Sequence, residues 1–126
     1  MEKYTNIDNE DINMEGKMIF DEKSCPVTAT MQVLGGKWKA ILINAIYHTS
    51  PARFGELKRS VKGITQSMLT QQLRELEEDG LISRKIYAEI PPRVEYTLTE
   101  FGLTLSPIMI SMANWGKEYR MKKEKG

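Results

Sequence analysis

The stretch GITQSMLTQQLRELEEDGLI, residues 63–82, decides the fold. Thr65 is a strong N-cap residue standing just before Gln66, where a side-chain oxygen can take up a free backbone N–H. Leu69, Leu73 and Leu76 follow at i, i+4 and i+7, one apolar stripe of an amphipathic helix. Asp79-Gly80 ends that helix, and Leu81 and Ile82 lead the chain back into apolar surroundings. Gln66, Ser67, Thr70, Gln71 and Arg74 share the face opposite the leucines, while Glu75, Glu77, Glu78 and Asp79 all fall in the C-terminal half. This distribution opposes the helix macrodipole, which favours acids at the N-terminus. A helix whose N-terminal end approaches phosphates would be written this way, because acids there would repel a polyanion and free N–H groups can bind one. A polar face that is merely solvated is the competing reading.

Outward from this helix, RFGELKRSV (53–61) spaces Phe54, Leu57 and Val61 as a second, shorter helix, and Lys62-Gly63 turns the chain between the two. On the other side the period changes to two. Ile82, Arg84 and Ile86 alternate with Ser83, Lys85 and Tyr87, and Val94, Tyr96 and Leu98 alternate with Glu95 and Thr97. Pro91-Pro92 cannot sit in a central strand and marks the turn of a β-hairpin. Upstream, a short helix is expected from about Thr28 to Gly35-Gly36. A longer one carries Trp38, Ile41, Leu42, Ala45 and Ile46 on one face and stops at Ser50-Pro51. Downstream, Thr99-Glu100 opens a long last helix in which Phe101, Leu105, Ile108, Met112, Trp115 and Tyr119 step by fours and threes, the stripe of a helix packing on another helix. Pro107 should kink it. Two short helices joined by a tight turn and followed by a hairpin make a winged helix-turn-helix. The fold class is α+β, mainly helical, with a two-stranded β-hairpin wing. An acidic arm spans 1–24, the winged-helix domain 25–120 and a charged, frayed tail 121–126.

Composition narrows the function. The chain has 126 residues and a net charge of +1, which fits one domain. Residues 1–24 carry three Lys/Arg against seven Asp/Glu, residues 25–94 ten against six, and residues 95–126 five against four. The basic middle suits phosphate contact, although so small an excess also fits a mixed, solvated surface. The longest apolar run, Ala40–Tyr47, is far short of a membrane span, and the acidic start MEKYTNIDNEDINMEG resembles no export signal. A cytoplasmic protein with no membrane partner is expected. Cys25 is the single cysteine, so neither an internal disulfide nor a cysteine zinc site can form. His48 has no catalytic or metal-binding partner at a meaningful spacing, and GGK (35–37) lacks the rest of a P-loop. No enzyme, cofactor or metal is expected.

Double-stranded DNA is the expected partner. Gln can bond adenine through two atoms, Arg can do the same with guanine, and Ser and Thr can contact bases or phosphates. In helix-turn-helix proteins the second helix enters the major groove by its N-terminal part, which assigns base reading to Gln66, Ser67, Thr70, Gln71 and Arg74. Arg84, Lys85 and Arg93 on the hairpin, and Arg53 before the first short helix, are candidates for the phosphate backbone or minor groove. Ordinary surface charge, and for Arg53 and Arg84 a salt bridge, are the alternatives.

The motifs CPVTATMQVLGGKWKAILINAI, RFGELKRSVKGITQSMLTQQLRELEEDGLISRKIY and PPRVEYTLTEFG, with Trp115 beyond them, occur in order from Cys25 to Tyr119. This arrangement resembles the HxlR family of bacterial transcription regulators, relatives of the MarR group. The resemblance implies a homodimeric winged-helix DNA-binding repressor or activator whose N- and C-terminal helices make the dimer. The stripe Phe101, Leu105, Ile108, Met112, Trp115 and Tyr119 fits such an interface, with part of it covering its own domain. A two-fold dimer reads two half-sites of a symmetric operator about one helical turn apart. The resemblance also marks Cys25 as a candidate sensor of oxidants or electrophiles. Lys23 and the start of the following helix favour a reactive thiolate there, while Asp21 and Glu22 oppose it. An inert, half-buried thiol is the alternative. Trp38, Trp115, Met109 and Met112 could line a ligand pocket, but core or dimer packing accounts for them better. A winged helix used as a protein-interaction module, with no DNA site, is the rival function. It should expose aromatic or aliphatic side chains where this chain carries Gln66 to Arg74.

Overall fold

The computed structural model describes residues 14–17 and 20–126. The expected acidic arm therefore falls in large part outside the described residues. The chain divides into two compact units, one ending at Gly35 and the other running from Gly36 to Gly126. The first holds helix α1 (Pro26–Leu34). It starts two residues earlier than Thr28, because Pro26 has the fixed φ of a first helical residue and lacks an N–H that would go unpaired.

The second unit runs α2 (Lys39–Thr49), β1 (Ala52–Arg53), α3 (Phe54–Ser60), α4 (Gln66–Glu78), β2 (Ile82–Tyr87), β3 (Arg93–Leu98), α5 (Glu100–Leu103) and α6 (Ser106–Lys125). The helix that decides the fold forms as its sequence dictates. The Thr65 hydroxyl accepts from Met68 N at 3.1 Å, and Leu69, Leu73 and Leu76 are buried. Gly80 ends it with φ of +78°, in the left-handed region that favours glycine. Gly63 has φ of +87° in the turn between α3 and α4, so that turn needs a glycine as well. Leu42, Ile43 and Ile46 of α2 meet Leu57 and Val61, the α4 leucines, Ile82 and Tyr96 in the core. Each fully buried aliphatic side chain contributes about 1.5–3 kcal/mol over leaving it in water.

One expectation is extended and three need correcting. The two-stranded hairpin forms from β2 and β3 as expected, and a third strand joins its sheet, in the order β1-β3-β2. The added strand pairs Ala52 with Tyr96 and Arg53 with Glu95. The buried face of α2 includes Ile43 in place of Ile41, which is exposed. The last helix is not one kinked rod, since α5 closes at Leu103 and Pro107 lies in the first turn of a new helix, α6. There the missing proline N–H costs nothing and nothing has to bend. The charged tail does not fray but continues α6 to Lys125. Its Lys122, Lys123 and Lys125 complement the negative end of the dipole.

Thr99 fixes the junction that follows the wing. Its hydroxyl donates to Gly80 O at 2.6 Å and accepts from Gly102 N at 2.9 Å. Its own N–H donates to Leu81 O at 3.0 Å. The exit of α4 and the start of α5 are thereby tied together. Among the described residues no helix is long and apolar enough to cross a membrane.

Candidate nucleic-acid interface

The face of α4 away from the core is built as the sequence reading expected. Gln66, Ser67, Thr70, Gln71 and Arg74 are all exposed, and the first turn holds no acid. Thr70 donates its hydroxyl proton to Gln66 O at 2.9 Å. Gln71 is less free, because its Nε2 donates to Glu75 Oε2 at 3.2 Å. Glu75 also takes Lys39 Nζ of α2 at 2.7 Å. Lys39 first, then Gln71, hold the Glu75 carboxyl below the usual carboxylate range, with burial opposing them. A carboxylate held down in this way keeps its partners at neutral pH and releases them as acid titrates it. The sequence reading missed this brace from α2 to α4. Lys39 and Glu75 lie far apart in the chain, and only the packing of α2 behind α4 brings them together.

The wing cations differ from one another. Lys85 is exposed, with its ammonium 4.8 Å from the centre of the Tyr87 ring. Arg84 lies 3.7 Å from Glu77 of α4. Both side chains are well exposed, so the pair is weak and its cation can exchange partners. Arg93 is the most committed. Its guanidinium lies 3.9 Å over the Tyr87 ring, with Glu89 at 3.2 Å and Glu95 at 3.8 Å, and its Nε is buried with no hydrogen-bond partner. Arg53 is exposed at the end of β1, where its backbone N–H donates to Glu56 at 2.9 Å and opens α3. Beneath the wing, burial pushes the Tyr96 phenol up, with Arg84 opposing.

Three further cations were not singled out from the sequence. Lys58 and Arg59 in the last turn of α3 and Lys62 in the turn after it are exposed. Among the described residues they form no ion pair. The signal was present as KRSVK (58–62). In a helix-turn-helix the first helix crosses the phosphate backbone, where such a cluster is useful.

The stripe expected at a subunit interface is left open along α5 and α6. Phe101, Ile108, Met112, Trp115 and Tyr119 are 42–68% exposed, and α6 has no buried residue. Leu105 alone of the six is half-buried. Leu105 is thus the part of the stripe that covers its own domain, and the remainder is open. Trp115 and Tyr119 stack with centroids 5.5 Å apart.

In the first unit, Cys25 is a free, half-buried thiol at the N-cap of α1. The Asp21 carboxylate expected to oppose a thiolate is occupied, accepting from Ser24 N at 2.8 Å, Ser24 Oγ at 2.9 Å and Lys23 N at 3.0 Å. Ser24 above all holds that carboxyl below its ordinary range.

Known proteins share this arrangement. The HxlR-like helix-turn-helix family model matches residues 33–124. The HTH-type transcriptional regulator YybR of Bacillus subtilis (strain 168) is 51% identical over 109 residues, which span 84% of this chain and 85% of that protein. The redox regulator HypR in its reduced form superposes with a TM-score of 0.75 at 49% identity, covering 81% of this chain and 100% of that one. Its oxidised form gives 0.70 at 52% identity, covering 75% and 96%. These relatives are transcription regulators and not enzymes. The match spans both helices of the helix-turn-helix, the wing and nearly all of α6, so this chain belongs to the HxlR-like helix-turn-helix family of transcription regulators.

Proposed function

We propose that the protein is a cytoplasmic, sequence-specific DNA-binding regulator. In this reading it acts as a homodimer on a two-fold-symmetric operator, and Cys25 carries an oxidant or electrophile signal. The observation that carries the DNA reading is the outer face of α4: polar, exposed, and free of acids over its first turn. A protein-docking surface would present aromatic or aliphatic groups there. Gln66, Ser67, Thr70, Gln71 and Arg74 read base edges. Lys58, Arg59 and Lys62, with Arg53, Arg84 and Lys85, hold phosphates. Arg93 contributes less than its charge suggests, because Glu89 and Glu95 already neutralise it.

Selection of binding sites from random DNA tests this reading, and a two-fold-symmetric site is the expected product. On the selected site, Gln71→Ala or Arg74→Ala should each lose about 1–3 kcal/mol and relax preference at one base pair per half-site. Lys62→Ala should weaken all sequences alike and reduce the salt slope by about 0.9 for each phosphate left without its cation. Parent-like binding by both classes of variant would remove α4 from the interface.

The Cys25 reading rests on the position of the free thiol at the head of α1 and on the likeness to a protein described as a redox regulator in two oxidation states. A peroxide takes two electrons from the Cys25 thiolate and leaves a sulfenic acid. A second Cys25 thiol or a small thiol attacks that sulfur, expelling water and forming the disulfide, while an electrophile such as a quinone bonds directly to the sulfur as an adduct. Treatment with a peroxide or a quinone should shift operator affinity of the parent and leave Cys25→Ser unmoved. A Cys25→Ser variant that still responds excludes the cysteine as the sensor.

A further inference from the structure

Lys39 and Glu75 do more than join α2 to α4, because they decide which atoms Gln71 has to offer. The two oxygens of the Glu75 carboxylate are used separately. Oε1 takes Lys39 Nζ at 2.7 Å, and Oε2 takes Gln71 Nε2 at 3.2 Å. A glutamine paired only with a glutamate one turn along a helix would exchange readily, since such pairs are weak on their own. This glutamate is not free to swing. The Lys39 side chain is only 13% exposed, and a cation so far out of water depends on its counter-ion.

The chemistry of the acceptor then sets the amide. Lys39 first, then Gln71, hold the Glu75 carboxyl below its usual range, so it is ionised at neutral pH. An ionised carboxylate only accepts hydrogen bonds, whereas a glutamine has an NH2 that donates and an oxygen that accepts. Gln71 must therefore turn its NH2 to Glu75. Its Oε1, which has no partner among the described residues, is left on the exposed face of α4.

We propose that the Lys39–Glu75 pair sets base preference by locking the Gln71 amide, so that Oε1 accepts from a base offering an exocyclic N–H, adenine above all. Adenine N6 donates to Oε1, and the second Nε2 hydrogen is left for adenine N7. Guanine and thymine offer only acceptors on that edge, and Oε1 repels them. Lys39 and Glu75 are positioning residues that need not touch DNA. The proposal rests on the reading of α4 as the base-reading helix and deepens it.

Site selection from random DNA, with the full-length parent and variants side by side, tests the device. The parent should select adenine at one position of each half-site, and Gln71→Ala should lose it. Glu75→Gln supplies a neutral amide that donates as well as accepts, so Gln71 can turn over. It should lose about tenfold in preference for adenine over guanine at that position and match the parent elsewhere. Lys39→Met keeps the aliphatic packing of the lysine stem and removes the cation, and it should lose part of the same preference. In a Gln71→Ala background Glu75→Gln should change nothing further, which a general loosening of α4 would not give. Circular dichroism confirms that each variant is folded. Without DNA, 15N relaxation should show the Gln71 side-chain amide rigid in the parent and mobile in Lys39→Met. The proposal is overturned if Glu75→Gln keeps the parent's preference, or still shifts it in the Gln71→Ala background. It is also overturned if the Gln71 amide is as mobile in the parent as in Lys39→Met. Failure of the DNA reading looks different: the parent then selects no site while the amide stays rigid, and the specificity role falls with that reading.

Discussion

Met112→Asp should convert the proposed homodimer to a monomer and lower its affinity for the proposed two-fold DNA site about a hundredfold or more. Met112 is 45% exposed on a helix with no buried residue, between Ile108 and Trp115, which are 42% and 68% exposed. Large apolar side chains in a row at helical spacing are stable in water only at a cost, and covering each one recovers about 1.5–3 kcal/mol. An aspartate introduced among them would have to bury an unpaired carboxylate in the interface, which costs several kcal/mol. Loss of the dimer then removes the gain of linking two half-site contacts, commonly 10²–10⁴-fold. Sedimentation velocity and a half-site against full-site titration measure the two effects. Because the side chain is not part of the chain's own core, the thermal midpoint of the monomer should barely move, within the ±0.5 kcal/mol usual for surface changes. A variant that remains dimeric at the parent's concentration would show that the stripe faces something other than a second copy.

The parts of the fold that were legible in the sequence are those fixed by local chemistry. The start and end of α4 follow from Thr65 and from Asp79-Gly80, each acting within one turn of the helix. The pairing of β2 with β3 follows from alternation and from Pro91-Pro92. What was hidden depends on distant partners. β1 is two residues long and exists only because Ala52 and Arg53 meet Tyr96 and Glu95 of β3. In α2, the run AILINAI offers apolar residues to more than one face, so only the packed core decides that Ile43 goes in and Ile41 stays out. The same limit applies to the site. The exposed row on α4 was legible because periodicity places it opposite the leucines. The commitment of Arg93 to Tyr87, Glu89 and Glu95, and of Gln71 to Glu75 and Lys39, was not. A cation or an amide in a sequence carries no mark of whether the fold has already given it a partner. The α4 face therefore keeps its exposed polar row with Gln71 tied to Glu75, while the proposed phosphate contacts move from Arg93 towards Lys58, Arg59 and Lys62.

Two glycine-to-alanine changes, both in helices, should have opposite signs. Gly102 is buried in α5. A Cβ on it would press into the backbone of Leu81, whose carbonyl carbon would lie 3.0 Å away and whose oxygen would lie closer still. Backbone cannot swing aside as a side-chain tip can. Relief requires α5 to lift from the exit of α4, and Thr99 resists this through its bonds to Gly80 O and Leu81 O. Gly102→Ala should therefore cost about 3 kcal/mol, at the upper part of the usual range for overpacking. For a domain of this size that corresponds to a midpoint lower by roughly 12 °C or more. Gly55 in α3 is exposed, and the atom nearest a Cβ there is Arg59 Nη1 at 3.3 Å, the far end of a flexible side chain. Gly55→Ala should instead stabilise by about 0.5–1 kcal/mol, because alanine loses less conformational freedom on entering a helix. Thermal and urea unfolding of the two variants beside the parent measure both changes. If the two move in the same direction, helix propensity alone governs both positions, and the close approach of α5 to Leu81 is not the constraint that makes residue 102 a glycine.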